Sequence, residues 1–306
     1  MGAPCGATTS VSKFELITAE CADHDTSKLA GSQGVSRSGF YAWGTRQRHT
    51  EPTARQQWRR DLEVKIAAHW KASQRTYGSP RITADLHAEG VAASENTVAK
   101  IMAEMCIEGI SPRTFKTTTQ VDPNAPFPPD RVGHQFDQGR IDAVWTSDIT
   151  YLTCEEGDVY LCAIRDEHSR RILGWAVADH MRTELVVAAV DAAVHTRGGS
   201  VAGTVMHSDR ASQFTSHDMA AACSKHGLKR SMGETGMCWD NAGAEALWST
   251  VKREYYKRHA YDTISNLTAG LDNYIRFYNP DRRHTALGMI SPIHFETAEP
   301  TSQQSS

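Results

Sequence analysis

Three β-branched and aromatic runs, separated by turn residues, follow one another between residues 143 and 179. They read AVWTSDITYLT, DVYLCAIRD and RILGWAVAD, and they predict three sequential strands. Beyond them, helical segments alternate with two short strand-like runs, GTVMHSD and LKRSM. A strand meander followed by alternating strands and helices is typical of an α/β fold with a mixed sheet. This pattern limits the possible folds more than any other feature of the chain.

The part of the chain before these strands predicts only helices, although residues 1–23 show no clear pattern. Residues 25–43 predict two short helices joined by a glycine-containing turn, in the proportions of a helix-turn-helix. A longer helix is predicted over residues 54–73.

A second pair of short helices is predicted between residues 79 and 105, with Ser94 capping the second helix. The outward face of that helix offers Asn96 and Lys100, which could reach into a DNA major groove. A plain helical hairpin without a ligand fits the pattern equally well.

Four prolines in residues 117–131 predict an extended linker. We therefore expect an N-terminal helical region at 1–53, a helix-turn-helix-like domain at 54–116, a linker at 117–135 and an α/β domain at 136–300.

Composition excludes several classes of protein. The 306 residues contain no apolar run of membrane-spanning length, and the first residues lack the pattern of a signal peptide. The seven cysteines include no C-x-x-C pair, which argues against a cysteine zinc site and favours free thiols. We expect a cytoplasmic protein that does not enter membranes and that associates with the nucleoid if it binds DNA.

The net charge is −3, but residues 250–285 carry an excess of three basic over acidic residues. Such a local excess permits contact with phosphates without proving it, and a solvated helical surface explains it equally well. The candidates for phosphate contact are Arg253, Arg282, Arg283 and His284.

Three carboxylates stand out from their surroundings. Asp148 interrupts an apolar strand, Asp209 ends a strand before a polar loop, and Glu245 lies beside the apolar stripe of a predicted helix. Taken alone, that helix is most simply a surface helix with Glu245 and Lys252 on one face. If the three acids meet, however, their mutual repulsion calls for a hard divalent cation such as Mg²⁺ or Mn²⁺. Two such ions ~4 Å apart serve in-line attack on a phosphodiester.

Of the neighbouring acids, we interpret Asp240 as a helix cap, and Asp142, Asp166 and Glu254 as surface or loop residues.

Thirty-five residues separate Asp209 from Glu245, and a lysine follows seven residues after the glutamate. This arrangement resembles the core of DDE transposases and retroviral-type integrases. The segments VWTSDITYL, DEHSRRILGWAVAD, HSDRASQFTS, GMCWDNAGAEALWSTVKRE and FYNPDRRHTALGMISPIHFE are similar to the successive motifs of bacterial insertion-sequence transposases of the IS-three type. Specifically, they look like the product of the second of two overlapping frames, an OrfB-like protein, and the resemblance covers roughly residues 13–296.

The resemblance implies an RNase H-like core in which Asp148, Asp209 and Glu245 hold two Mg²⁺ or Mn²⁺ ions. It implies that Lys252 meets the DNA end, and that the protein cleaves element ends and transfers strands by 3′-hydroxyl attack. It also implies binding of terminal inverted repeats and target DNA, self-association into a multimer, and an upstream-frame (OrfA-like) partner, often fused by frameshifting. Two departures, Ala211 for a usual glycine and Ala246 for a usual serine, are compatible with a decayed copy.

Two other functions remain alternatives at this point. The first is a catalytically inactive repressor, which would bind element ends equally well with EDTA and never nick them. The second is an RNase H-type nuclease, which would digest RNA–DNA hybrids and leave element ends intact.

Overall fold

The computed structural model divides the chain into two compact units, residues 1–65 and 66–306. The boundary falls within helix α4 (Ala54–Ala72). The structure describes residues 10–21, 24–48, 52–110, 128–233 and 242–298.

The first unit contains α1 (Ser10–Glu20), α2 (Thr26–Ser32) and α3 (Arg37–Arg48). Asp25 caps α2 by accepting the Ser27 N–H at 2.8 Å, and the Ser36 hydroxyl accepts the Gly39 N–H at 3.0 Å. The two predicted short helices are therefore confirmed. Helix α1 had no counterpart among the predicted helices, yet its Ile17 is fully buried in a cluster with Ala30 and Phe40.

The second unit begins with the end of α4 and the hairpin formed by α5 (Ser79–Ala88) and α6 (Glu95–Glu104). Pro80 lies in the first turn of α5, where a missing N–H is harmless. The Ser94 side chain caps α6 by accepting the Thr97 N–H at 3.2 Å, as predicted. The hairpin buries one side of each helix, through Ile82, Leu86, Val98, Ile101 and Met102.

The sheet of the second unit has five strands in the order β3-β2-β1-β4-β5. Strands β1, β2 and β3 form an antiparallel meander, whereas β4 and β5 run parallel to β1. This confirms the predicted α/β fold with a mixed sheet flanked by helices. The strands are β1 (Val144–Cys154), β2 (Gly157–Asp166), β3 (Ile172–Ala178), β4 (Val205–Ser208) and β5 (Lys229–Met232).

Two hydrophobic clusters cover the sheet. One cluster joins the sheet to the helices α7 (Thr183–Thr196), α8 (Ser212–Thr215) and α9 (His217–Lys225). Helix α7 lies so close to β3 that a Cβ on Gly174 would be 2.3 Å from the Ala189 carbonyl oxygen. A side chain larger than hydrogen at that position would therefore push the helix off the sheet.

The other cluster joins the sheet to α10 (Ala242–Glu254) and α11 (Ile264–Tyr278). Leu152 of β1, Leu247 of α10 and Leu267 of α11 are buried in it, and each such side chain contributes roughly 1.5–3 kcal/mol. A 3₁₀ turn at Tyr256–Arg258 lies between α10 and α11. A second 3₁₀ turn at Thr285–Leu287 and the helix α12 (Pro292–Ala298) follow α11.

The hairpin α5–α6 belongs to the same compact unit as the sheet. Residues 117–127 of the predicted linker lie outside the described residues, and the predicted domain boundaries stay predictions. Among the helices of the described ranges, none has the length and apolar character needed to cross a bilayer.

Candidate active site

Asp148 and Asp209 lie at the same level of two neighbouring parallel strands, just beyond the part where the strands pair. Strand β1 pairs with β4, and Thr146 is the partner of His207 at the end of this pairing. Asp148 follows Thr146 by two residues, and Asp209 follows His207 by two. Both carboxylates are partly buried. The backbone N–H of Ala211 donates to Asp209 Oδ1 at 3.1 Å and fixes the start of the loop after β4.

The Asp148 carboxylate accepts two hydrogen bonds from its surroundings. The backbone N–H of Ile149 donates to Oδ1 at 2.8 Å, and the indole N–H of Trp248 donates to Oδ2 at 3.1 Å. Burial, followed by the negative charges of Asp209 and Glu245, nevertheless raises the pKa of Asp148 to about 7. The two donors therefore only partly offset the desolvation and repulsion of this carboxylate.

Glu245 reaches the same region from α10. It precedes Trp248 by three residues, so both side chains lie on neighbouring turns of one helix face. Ala244 and Leu247 beside it are buried, whereas Glu245 itself is partly exposed, and burial raises its pKa. The hydrogen bond from Trp248 thus fixes α10 against β1. Glu245 then lies close enough for its negative charge to raise the pKa of Asp148. Trp248 was not among the residues predicted for the site, and its hydrogen bond to Asp148 is evident only from the structure.

Lys252 follows Trp248 by one helical turn. Its ammonium nitrogen lies 5.2 Å from the centroid of the Tyr151 ring. Burial and the neighbouring charge of Lys257 lower the pKa of Lys252, while the charge of Asp148 opposes that shift. The lysine predicted to meet DNA therefore lies within electrostatic reach of the candidate acids.

The acids could hold a cation on chemical grounds, because all three offer hard oxygen ligands of the kind that Mg²⁺ and Mn²⁺ prefer. Burial and the negative charges of Asp209 and Glu245 raise the pKa of Asp148, and a divalent ion would stabilise its ionised form. Within the described ranges, however, no three His, Cys, Asp or Glu side chains are grouped closely enough to hold a metal. The metal site therefore stays a prediction.

Comparison with known proteins gives a consistent result. The Integrase core domain family matches residues 140–238, a second Integrase core domain model matches 226–292, and the HTH-like domain family matches 56–115. A 31 kDa protein of insertion element IS600 from Shigella sonnei is 33% identical over 263 residues, which cover 86% of this chain and 95% of that protein. The transposase InsF of insertion sequence IS3A from Escherichia coli K12 is 30% identical over 285 residues, 93% of this chain and 98% of InsF.

The chain belongs to the IS3 family of transposases. The predicted resemblance is thus confirmed, and with it a role in DNA transposition for a protein with an integrase-type core and an HTH-like domain. This is a polynucleotidyl transferase family that generally uses divalent metal ions. Among solved structures, the catalytic core of BIV integrase is similar with a TM-score of 0.39 and 16% identity, covering 52% of this chain and 97% of that one.

In this IS3-family chain, Arg282 does not face solvent. It is 4% exposed and donates to both carboxylate oxygens of Glu254, at 2.6 and 2.7 Å. Burial alone would lower the pKa of Arg282, but the hydrogen bonds and charge of Glu254 raise it above its usual value. The predictions that Arg282 contacts phosphate and that Glu254 is a surface acid are therefore wrong.

The two residues after Arg282 are also committed to internal contacts. Arg283 pairs with Asp85 of α5 at 2.5 Å and donates to the Met289 carbonyl oxygen at 2.6 Å. Burial and the charge of Arg282 lower the pKa of His284 to about 2, so its ring is uncharged at neutral pH. These contacts commit both side chains to packing within the protein, and their contact with phosphate stays a prediction.

The structure also corrects the interpretation of Asp166. It is fully buried and accepts backbone N–H groups of Asp142, His168 and Ser169 at 2.7–3.0 Å. It organises the turn after β2 and is not a surface acid. Asp142, by contrast, is partly exposed and accepts from the Trp145 indole and from Arg197, each at 2.8 Å. The predicted cap Asp240 lies outside the described residues.

The remaining residues predicted to contact DNA all reach the protein surface. Asn96 and Lys100 are exposed on α6, and Arg253 on α10 is partly exposed. Their contact with DNA stays a prediction.

The two departures from the family pattern fit the fold. Ala211 has ordinary extended backbone, with φ −62°, so the fold does not require glycine there. Ala246 is exposed on α10.

Proposed function

We propose that this transposase cleaves DNA at the ends of its insertion sequence and joins them to target DNA by 3′-hydroxyl attack. Asp148, Asp209 and Glu245 would be the catalytic carboxylates and would hold two Mg²⁺ or Mn²⁺ ions. The observation that supports this most directly is the parallel pairing of β1 with β4, which places Asp148 and Asp209 at the same level of two neighbouring strands. The negative charges of Asp209 and of Glu245, from α10, both raise the pKa of Asp148, in a chain that belongs to a family of transposases.

The protein's own groups would prepare this site. The indole N–H of Trp248 and the backbone N–H of Ile149 orient the two oxygens of Asp148. The N–H of Ala211 holds one oxygen of Asp209 and leaves its other oxygen available. When bound, two divalent ions make water or a 3′-hydroxyl nucleophilic and stabilise the leaving oxygen.

The DNA would be held by basic and polar groups on α10 and α6. Lys252 and Arg253 lie in the last turn of α10, about two turns after Glu245, and Asn96 and Lys100 are exposed on α6. We assign the terminal inverted repeats to the helical hairpin and the phosphate next to the cleaved bond to Lys252.

The joining of two ends implies a multimer, and the family resemblance implies an upstream-frame partner, separate or fused to this chain by frameshifting. Because both substrates are DNA, we expect the protein to work at the nucleoid, in the cytoplasm.

The decisive experiment incubates the full chain, with and without the upstream-frame protein, with labelled element-end DNA and Mg²⁺. The variants Asp148→Asn, Asp209→Asn and Glu245→Gln should each lose nicking while binding the DNA as the wild type does. Asp218→Asn, a change at an acid whose side chain is 80% exposed on α9, is the matched control and should nick normally.

Each alternative predicts a different result. Binding that is equal in EDTA, without any nick by the wild type, would indicate a repressor or a decayed copy. Digestion of an RNA–DNA hybrid without cleavage of element ends would indicate a nuclease of the RNase H type. Nicking within about tenfold of wild type by any acid variant would refute the assignment of that acid.

A further inference from the structure

Tyr151 exposes an aromatic ring close to the candidate active site. It lies three residues after Asp148 on β1, and 66% of the residue is exposed to solvent. The pairing of β1 with β4 ends at Thr146, so this part of β1 has β2 as its neighbour on one side only. A ring of this size is usually buried, at least in part, because its apolar area is large.

The ring is in contact with the candidate DNA-binding lysine. The Lys252 ammonium lies 5.2 Å from the ring centroid, within the range of a cation–π interaction. Burial lowers the pKa of Lys252, so its charge is partly shielded from water, where an aromatic face is a stronger partner than at an open surface. The negative charge of Asp148 also acts on this ammonium.

A lysine held in this way has already lost part of its side-chain conformational entropy before DNA binds. A free lysine has four rotatable side-chain bonds, and ordering it on binding opposes association. We propose that Tyr151 is a positioning residue for DNA binding, whose ring holds the Lys252 ammonium within reach of the charge of Asp148, ready for a phosphate of the element end. This inference rests on the proposed function, because it takes element-end DNA as the substrate and Lys252 as its contact.

A purely structural role for Tyr151 would be weak. Its side chain is mostly exposed, and truncation of such a residue usually changes stability little. The strand edge beyond it is fixed independently: the Tyr256 hydroxyl accepts the Thr153 N–H and donates to the Thr153 carbonyl oxygen, both at 2.8 Å. Variants at Tyr151 should therefore fold like the wild type.

The test compares Tyr151→Phe with Tyr151→Leu in the full chain, using a labelled duplex that carries one end of the insertion sequence. Tyr151→Phe keeps the ring face and should bind like the wild type. Tyr151→Leu should weaken binding by about threefold to tenfold, the size expected for a half-buried cation–π contact. Lys225→Met, the loss of an exposed lysine on α9, controls for a general loss of positive charge.

A double-mutant cycle decides whether Tyr151 acts through the lysine. In a Lys252→Met background, Tyr151→Leu should have no further effect on DNA binding. Independent losses that multiply in the double mutant would show that the ring contacts DNA by itself, and would overturn the inference. Tighter binding by Tyr151→Leu, or equal losses in the Phe and Leu variants, would also overturn it.

Failure of this inference and failure of the proposed function give different results. If Tyr151→Leu binds and nicks like the wild type while Asp148→Asn does not nick, only the role of Tyr151 is refuted. If Asp148→Asn nicks like the wild type, the proposed catalytic site itself is refuted.

Discussion

Arg282 and Glu254 form a bidentate ion pair inside the protein, with nitrogen–oxygen distances of 2.6 and 2.7 Å. Two further groups complete the Glu254 cluster: the Tyr274 hydroxyl donates to Glu254 at 2.9 Å, and Arg81 of α5 donates to it at 3.3 Å. Glu254 ends α10, the helix that carries Glu245. The cluster therefore joins the end of the candidate catalytic helix to the helical hairpin and to the segment after α11.

The first prediction concerns Arg282→Met. Removing one partner of a buried pair leaves the other charge uncompensated, so we expect a loss of about 3–5 kcal/mol in the free energy of unfolding. Urea unfolding of the full chain measures it. Arg276→Met is the matched control, because that side chain is 76% exposed and its pair with Asp272 should be worth less than about 0.5 kcal/mol. Normal stability with a specific loss of DNA binding would instead restore Arg282 to the DNA surface.

The second prediction concerns the pH dependence of the same pair. Burial by itself raises the pKa of Glu254. The hydrogen bonds and charge of Arg282 lower this pKa by a larger amount, so the pKa of Glu254 lies below its usual value. The ionised pair therefore stabilises the fold fully above the unfolded pKa of about 4.3, and this stability is lost as the pH falls through the lower folded pKa. The stability difference between wild type and Glu254→Gln should be constant near pH 7 and should shrink below about pH 4. Thermal unfolding across that range measures it, and a difference that grows on acidification would contradict this account.

The third prediction concerns Gly243 in the first turn of α10. A Cβ at this position would lie 2.3 Å from Glu167 Oε1 and 2.7 Å from an Arg165 nitrogen. Arg165 and Glu167 are themselves buried and joined at 2.6 Å, so they have little room to move. We expect Gly243→Ala to displace the start of α10 and, with it, Glu245.

The measurement for Gly243→Ala is end nicking together with unfolding, and we expect nicking to fall at least tenfold. Gly31→Ala is the control, because a Cβ there has no atom within 4 Å and α2 should gain about 0.5–1 kcal/mol. Wild-type nicking by Gly243→Ala would show that the close approach to Glu167 does not set the position of Glu245.

The sequence predicted elements whose pattern is local. The strand runs, the cap Ser94 and the two helix pairs all follow from neighbouring residues, and all are confirmed. Helix α1 was missed because its burial depends on contacts with α2 and α3, which no local pattern reveals.

The charged residues were harder to interpret, because a charge in the sequence does not show whether its partner is solvent or another side chain. The partner of Glu254 lies 28 residues away, and the partner of Arg283 lies 198 residues away. A buried ion pair and a phosphate-binding surface use the same residue types, so the segment YNPDRRH fitted both. The three acids could be singled out because an aspartate inside a strand is costly without a cationic partner. The prediction that they converge came from the family resemblance, whereas the hydrogen bond of Trp248 to Asp148 required the structure.

The last prediction separates the two interpretations of the hairpin α5–α6, a DNA-binding unit and a plain helical hairpin. Asn96 and Lys100 are exposed on α6, so Asn96→Ala and Lys100→Ala should each change stability by less than about 0.5 kcal/mol. If Lys100 contacts a phosphate, Lys100→Ala should weaken binding to every duplex and lower the slope of log affinity against log salt by about 1. If Asn96 reads a base, Asn96→Ala should weaken binding to the element end by about 1–3 kcal/mol and leave binding to unrelated DNA unchanged.

Titrations of both duplexes at several salt concentrations measure these effects, and the same experiments on Lys225→Met give the background for an exposed lysine outside the hairpin. Wild-type affinity and salt slope in both hairpin variants would leave α5–α6 as a structural hairpin, joined to the core through Asp85 and Arg283.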